Sequence, residues 1–526
     1  MFDSQLKKFG KNFILIVFTI ITILLTYLSL FLNAYTSVDE KTTIVLDNPF
    51  KVIGWFIIVL IAFYFVRKFF KTQDTFYFNY IFLIISLSLL IVGTFIIFTK
   101  NIFPVADQQD ILNAANGLVN GDYSYFLPTG YVGKCTNQAG IVMILYYLVR
   151  IFGENSFRVF QVLNIFGLIG SYYCICKISQ ISFQNDELKN WTLFFLVLFL
   201  PLTWYVVFVY GNMFGLFFSL FAILAGYNYF ETGKIKYIFY ALFGITLAMM
   251  FKSNYLIIFV AMLLFVLFDV VLNKRYQSII LVILLIPTYF ASSWIPNQMI
   301  HSITGIELGK GIPMTAYIEM GLQDSPDSPG WFNSYNWNVY TNNGSDSEKA
   351  SEQVKEDLKN TLTYWATHPG EFINFLYRKT VSQWCNPDFQ GTWLLRHSDF
   401  YIHGDGYYAF FNIFQSVICL GTLAYIYFTG RHMKLHRLLL PTIFIGGFLF
   451  HLFWEAKGQY TITYFVLLIP YCARGLMDMT NEINDGVLRI QVAKGYKKKL
   501  HILWEMDSFK YILLLILSVI IINFLI

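Results

Sequence analysis

Charge is scarce in this chain. Only 13% of its 526 residues are Asp, Glu, Lys or Arg, against 56% hydrophobic residues that include 55 Phe and 36 Tyr. A soluble domain has no interior large enough to hide that surface, which excludes the soluble globular class. The net charge of +5 is modest and its Lys and Arg are scattered among loops, so no nucleic-acid partner is expected. Cysteine is sparse too, at six residues. Cys174, Cys176, Cys419 and Cys472 fall within apolar runs, where small buried thiols are ordinary. Cys135 and Cys385 lie in polar loops and could pair if those loops face an oxidising compartment. The basic head of Lys7, Lys8 and Lys11 enters an apolar run with no small-residue cleavage pattern behind it, which predicts a retained first helix.

Long apolar runs are abundant. Each is close to the roughly 20 residues that carry a helix across a hydrocarbon core of about 30 Å. They cover 12–33, 52–70, 78–98, 138–153, 157–178, 190–210, 213–230, 236–250, 254–272 and 277–296, then 407–429, 435–453, 460–477 and 509–526. The basic loops belong on the cytoplasmic side: the N-terminus, Arg67/Lys68/Lys71, Lys177/Lys189, Lys234/Lys236, Lys274/Arg275, Arg431/Lys434/Arg437 and Lys497–Lys499. Alternation of sides fails once, because seven segments separate two loops, after 98 and after 296, that both need the outer face. The short segment 138–153, left through the turn Gly153 to Arg158, is predicted to dip in or lie along the surface. About thirteen crossings remain. The chain divides into N-terminal helices (1–77), a helical core with its first outer loop (78–296), a large outer loop (297–405) and C-terminal helices (406–526) with a cytoplasmic basic loop at 478–507.

The outer face then collects residues 99–137, the turn Lys252-Ser253-Asn254, the loop 297–405 and the turn Trp454-Glu455-Ala456-Lys457. In the first, Asp107 is placed to cap a short interfacial helix with Ile111, Leu112, Ala115 and Leu118 at helical spacing. Asp107 and Asp110 stand three apart near its start, a spacing that suits capping as well as chemistry. In the large loop, Ala350, Val354, Leu358, Leu362 and Trp365 form one apolar stripe after a capping box of Ser345 and Glu348. That helix should stop by Pro369, and 371–384 reads as a second amphipathic helix carrying Arg378 and Lys379. Trp331, Phe332, Tyr335, Trp337 and Tyr340 suit either sugar stacking or the lipid headgroup level, the latter preferred. His397, Asp399, His403 and Asp405 raise a metal site but match no standard zinc spacing, so no metal is expected and a divalent cation stays open. His451, Glu455 and Lys457 sit at the exit of an otherwise charge-free helix, where they mark either its end or a site.

The order of these motifs resembles the GT-C superfamily of membrane glycosyltransferases, close to the protein mannosyltransferase and aminoarabinose transferase type (glycosyltransferase family 39-like). That family carries an acidic residue early in its first outer loop, then A-x-x-L-x-x-G-x-Y, matched by Asp107 and by Ala115, Leu118, Gly121 and Tyr123. Asp107-Gln108 stands where Asp-Glu is common, with Asp110 as a substitute second carboxylate. A-M-M-F-K-S-N-Y supplies the outer-face Lys252, and W-E-A-K-G-Q-Y is similar to a Glu-x-Lys-x-Arg-Tyr feature with Gln459 in place of Arg.

The resemblance implies an all-α polytopic membrane protein, a GT-C-type helix bundle with folded extracytoplasmic loops. It implies transfer of a sugar from a polyprenyl-phosphate donor to a glycan, lipid or protein acceptor, with inversion and without a cofactor. Asp107 would be the general base, Asp110 its neighbour, and Lys252, Arg378, Lys379 and Lys457 the donor-phosphate set. Gln138, Asn254, His451, Glu455 and Tyr460 are the expected further contacts to donor or acceptor. A flippase or transporter of lipid-linked sugars is the alternative, as is a lipid-linked oligosaccharide ligase or polymerase. Transporters keep ionisable groups at mid-membrane, whereas 190–210, 213–230 and 277–296 hold no charged residue. The Ile, Phe, Asn and Lys bias suggests a bacterial plasma membrane, with membrane lipid as a constant partner.

Overall fold

In lipid a backbone must satisfy its own N–H and C=O groups, which an uncharged apolar run does by forming a helix. The computed structural model describes residues 2–72, 78–274, 276–325, 328–398, 405–430 and 435–525, and it is predominantly helical. The chain opens with α1 (Phe2–Phe31), then an antiparallel hairpin of β1 (Leu32–Thr36) and β2 (Thr42–Leu46), with Leu32 opposite Leu46 and Thr36 opposite Thr42. Next come α2 (Pro49–Thr72), α3 (Phe78–Thr99), α4 (Asp107–Asn120), α5 (Tyr131–Lys134), α6 (Ala139–Phe152) and α7 (Ser156–Phe183). They are followed by α8 (Asp186–Leu198), α9 (Leu200–Trp204), α10 (Asn212–Thr232), α11 (Lys236–Phe251), α12 (Leu256–Asn273) and α13 (Ile279–Thr304). A cap holds α14 (Met314–Gly321), α15 (Tyr335–Asn342), α16 (Ser347–Thr367), α17 (Pro369–Trp384) and α18 (Trp393–Arg396). The chain ends with α19 (Asp405–Thr429), α20 (Leu439–Phe453), α21 (Gly458–Val492), α22 (Tyr496–Glu505) and α23 (Asp507–Leu525).

Among the described residues nine helical stretches are long and apolar enough to cross a membrane, or ten if the pair Asp186–Leu198 and Leu200–Val207, bent by 65°, is one span. This is a polytopic, all-α membrane protein apart from one hairpin among the described residues. The expected thirteen crossings are reduced by that measure, because Lys236–Phe251, Ser253–Phe268 and Leu439–Phe453 are apolar but only 10–17 residues long.

The bundle has two distinct ends. At one, Arg67 donates to Glu187 at 2.8 Å and to the Met477 carbonyl at 3.0 Å, and Arg437 donates to the carbonyls of Ser182 and Phe183. At the other stand the hairpin, α4 and the cap. α6 starts and finishes at this second end: Gln138, just before it, donates to the Tyr210 hydroxyl, and Arg158, just after it, donates to Asn101 at 3.0 Å. Both of its ends therefore meet this end of the bundle.

The bend after α8 and the loop before α4 leave backbone carbonyls without helical partners in the interior. Gln161 donates to the carbonyls of Ile102 and Val207, and Asn164 to those of Val206 and Phe208, all at 2.7–3.0 Å. Two buried amides thus replace missing helix hydrogen bonds and hold an irregular strand of chain, 205–211, against α7.

The cap is folded on its own apolar clusters: Ile312, Ala316, Val339, Tyr340, Ala350 and Val354 in one, Leu322, Trp365 and Phe375 in another. α16 is capped by Asp346, whose side chain accepts from the amides of Glu348 and Lys349, and not by Ser345, which takes a φ of 60°. Leu362, expected in the buried stripe, is 49% exposed. Cys135 and Cys385 are both buried free thiols, Cys135 beside the Tyr317 hydroxyl and Cys385 against Leu32 and Val381, so they do not form the disulfide considered from the sequence.

Candidate active site

A cavity of about 890 Å³ opens where α4, the α11–α12 turn, the cap and the α20–α21 turn meet. Seven of the expected site residues line it: Asp107, Gln138, Lys252, Asn254, Glu455, Lys457 and Tyr460. From this polar end the cavity continues between α12, α13 and α20 along Leu256, Val260, Leu264, Tyr289 and Phe450. Val260 and Leu264 are each 44% exposed, so the apolar end lies open on the side of the bundle.

Asp107 does not cap α4. It is the first helical residue, the cap position is Ala106 at a φ of 50°, and no side-chain cap hydrogen bond forms. The carboxylate is exposed to the cavity instead. Gly121, at a φ of 80°, ends the helix in the left-handed conformation that glycine tolerates. Gln108, at the position where the resembled family often has Glu, is buried and accepts from the Val209 amide at 2.8 Å, which anchors α4 to the irregular strand.

Lys252 ends α11, and the irregular strand builds its surroundings. Its ammonium donates to Asn212 at 2.6 Å and lies 4.9 Å from the ring centre of Tyr210 and 5.2 Å from that of Tyr460. No carboxylate within ion-pair distance is recorded for it among the described residues. Burial pulls its pKa down to about 7, the Lys457 charge adds to the shift, and the Asp107 and Glu455 carboxylates oppose it. Lys457 is held oppositely. It lies 3.3 Å from Glu40 and 3.9 Å from Glu455, and although burial acts against its charge, these carboxylates raise its pKa above the ordinary lysine value. Glu455 is buried, which raises its carboxyl pKa, and it accepts from the Tyr460 hydroxyl at 3.1 Å.

Several expected site residues lie elsewhere. Asp110 does not line the cavity; it is half-buried in α4, and burial followed by repulsion from Asp107 raises its pKa. Arg378 pairs with Asp324 at 2.5 Å on the cap surface, outside the cavity. Lys379 is fully engaged, donating to the carbonyls of Gly321, Leu452 and Trp454, where it ties the ends of α14 and α20 together. A cation so satisfied has no donor left for a phosphate. His451 is buried behind the cavity wall, with its ring stacked 5.6 Å from that of Tyr460. The aromatic group of the cap is divided between the interior and the cavity. Trp331 and Tyr340 are buried, Phe332 and Trp337 line the cavity, and Lys134 sits 4.7 Å from the Trp337 ring centre. Of the histidine and aspartate group, Asp399, His403 and the Asp405 side chain lie outside the described residues.

Sequence reasoning missed Glu40, Tyr210, Asn212 and Gln390. Glu40 and Lys457 are 417 positions apart, and Glu40 arrives on the hairpin tip with a φ of 59°, held by Gln390 at 3.2 Å. Gln459, where the resembled family has Arg, accepts from Asn212 at 3.3 Å, and so supports the residue that holds Lys252. No family model matches the chain, and no curated protein matches it. Chemically, the cavity offers a carboxylate able to accept a proton, a cation free of any recorded carboxylate partner and a channel of apolar side chains.

Proposed function

We propose that the protein is a membrane glycosyltransferase of the GT-C type, using a sugar linked to a polyprenyl phosphate. The observation that carries this reading is the continuity of the cavity: an acid and a lysine at its polar end, and an apolar crevice leading from them to the side of the bundle. A donor with a long apolar tail and a single phosphate matches both halves. Asp107 takes the proton from the acceptor hydroxyl, whose oxygen bonds to the anomeric carbon as the bond from that carbon to the phosphate oxygen breaks. The electron pair leaves on the polyprenyl phosphate, where Lys252 offsets the charge, and attack opposite the leaving group inverts the anomeric centre. The acceptor is a glycan, lipid or protein, and the cavity faces the outside of a bacterial plasma membrane, since the basic end of the bundle belongs in the cytoplasm.

Incubation of the purified protein with defined polyprenyl-phosphate sugars and a panel of acceptors tests the reading. A general base contributes on the order of 10²–10⁴ in rate. Asp107→Asn should therefore lower turnover by that factor while the thermal midpoint stays at the wild-type value. Full activity of this variant removes Asp107 from the mechanism.

A further inference from the structure

α15 is a wall with two used faces. Asn336 and Trp337 line the catalytic cavity, whereas Tyr335, Asn338 and Asn342 line a separate cleft of about 450 Å³ in the cap, closed on its far side by Gln353 and Asp357 of α16. We propose that this second cleft binds an uncharged saccharide chain, so that an acceptor glycan is held one helix away from the point of transfer.

The chemistry of the lining selects the ligand class. Six of its nine residues are Asn or Gln. An amide presents a donor and an acceptor side by side without charge, which suits the hydroxyl groups of a sugar, each of which also donates and accepts. The cleft's one carboxylate is already satisfied: Asp357 accepts from the Tyr335 hydroxyl at 2.5 Å and from Gln353 at 2.9 Å. No lysine or arginine lines it, so an anion finds no counter-charge, and its one aliphatic residue, Val339, is buried. Asn338 and Asn342 stand one turn apart on the same face of α15, and no side-chain hydrogen bond is recorded for either among the described residues. Asn333 and Gln323 bond each other at 2.8 Å and stiffen one edge. The bond from Tyr335 to Asp357 fixes a half-buried ring whose face suits the apolar face of a pyranose.

A helix is about 10 Å across, so a chain of several sugars can rest in the cleft while its end reaches the cavity. The proposal takes the acceptor's role from the glycosyltransferase reading, but saccharide binding in the cleft stands apart from catalysis and is measured without a donor. The full chain in detergent is titrated with two neutral linear tetrasaccharides, one of β-1,4-linked N-acetylglucosamine and one of α-linked mannose, and with the matching monosaccharides. At least one tetrasaccharide should bind wild type at least tenfold more tightly than its monosaccharide. The double variant Asn338→Ala/Asn342→Ala changes only exposed side chains and should keep the wild-type thermal midpoint, yet lose at least tenfold in tetrasaccharide affinity. Gln353→Ala, on the opposite wall, should weaken the same ligand. Absence of tetrasaccharide binding to wild type, or equal binding by wild type and the double variant, overturns the cleft. Binding that follows the cleft variants in a protein with no transfer activity overturns the glycosyltransferase reading and leaves the cleft standing.

Discussion

Of the four lysines that line the cavity, Lys134, Lys252, Lys310 and Lys457, the second and the last are buried among neighbours that give them different work. Lys457 lies between Glu40 and Glu455, so an added phosphate there would meet two carboxylates. Lys252 has an amide and two ring faces, and an anion beside it would restore the charge that burial disfavours. Because its pKa is lowered from 10.5 to about 7, the ammonium is present below that pH and lost as pH rises through it. If the donor's phosphate binds the charged form, donor KM should rise by roughly tenfold for each pH unit above 7, as expected for one titrating group. Arginine stays charged over the whole range, so Lys252→Arg should show a flat profile between pH 6 and pH 8.5 even if its turnover is lower. Steady-state donor titrations at those two pH values decide it, and a wild-type KM that does not move assigns the phosphate elsewhere. Lys252 was legible in the sequence because it sits in an expected outer-face turn and in the A-M-M-F-K-S-N-Y stretch that resembles the family pattern. Glu40 was not, since a single acid in a loop carries no signal until a distant lysine is seen against it.

The elements around the site were legible by period and misread at their ends. Apolar spacing marked α4, α16 and α17, but spacing does not choose between adjacent cap formers, and Asp346 took the role expected of Ser345. The first apolar run was expected to stay helical to residue 33, yet α1 stops at Phe31 and the hairpin begins at Leu32, because apolar content alone does not separate a helix end from a strand. The irregular strand 205–211 lay inside an expected membrane segment, and only the amides that serve its carbonyls explain how it persists there. Gly211 ends it at a very close approach: an added Cβ would lie 1.8 Å from the Phe251 carbonyl oxygen, next to Lys252. Backbone cannot yield as a flexible side chain does, so Gly211→Ala should cost about 1–3 kcal/mol of stability and shift Lys252 away from Asn212. A lowered thermal midpoint together with a raised donor KM is the expected pair of results. Gly370→Ala, at an exposed helical position where a Cβ meets nothing within 4 Å, should leave the donor KM unchanged and not lower the midpoint. A Gly211→Ala protein with wild-type values for both would show that this approach does not position the lysine.

At the scale of the molecule, α2 runs from the hairpin end to Arg67, and α21 runs from Lys457 to the residues that hold Arg67. The cavity and the Arg67 cluster are therefore separated by about 27 Å along α2 and about 34 Å along α21 at the helical rise. Lys497, Lys498 and Lys499 follow α21 in α22, which returns to it through the Arg489–Glu505 pair at 2.5 Å. The positive-inside rule would put that concentration of basic residues in the cytoplasm and turn the cap outward, the orientation proposed above. All six native cysteines are buried, so they give a thiol reagent little background. Lys359 on α16 and Lys498 on α22 are exposed at the two ends. In intact cells a membrane-impermeant maleimide should label Lys359→Cys and leave Lys498→Cys unmodified until the membrane is opened. The reverse pattern would put the cavity in the cytoplasm, where a donor loaded on the inner leaflet would have to meet it. Labelling of both sites in intact cells would break the single orientation on which the charge argument depends.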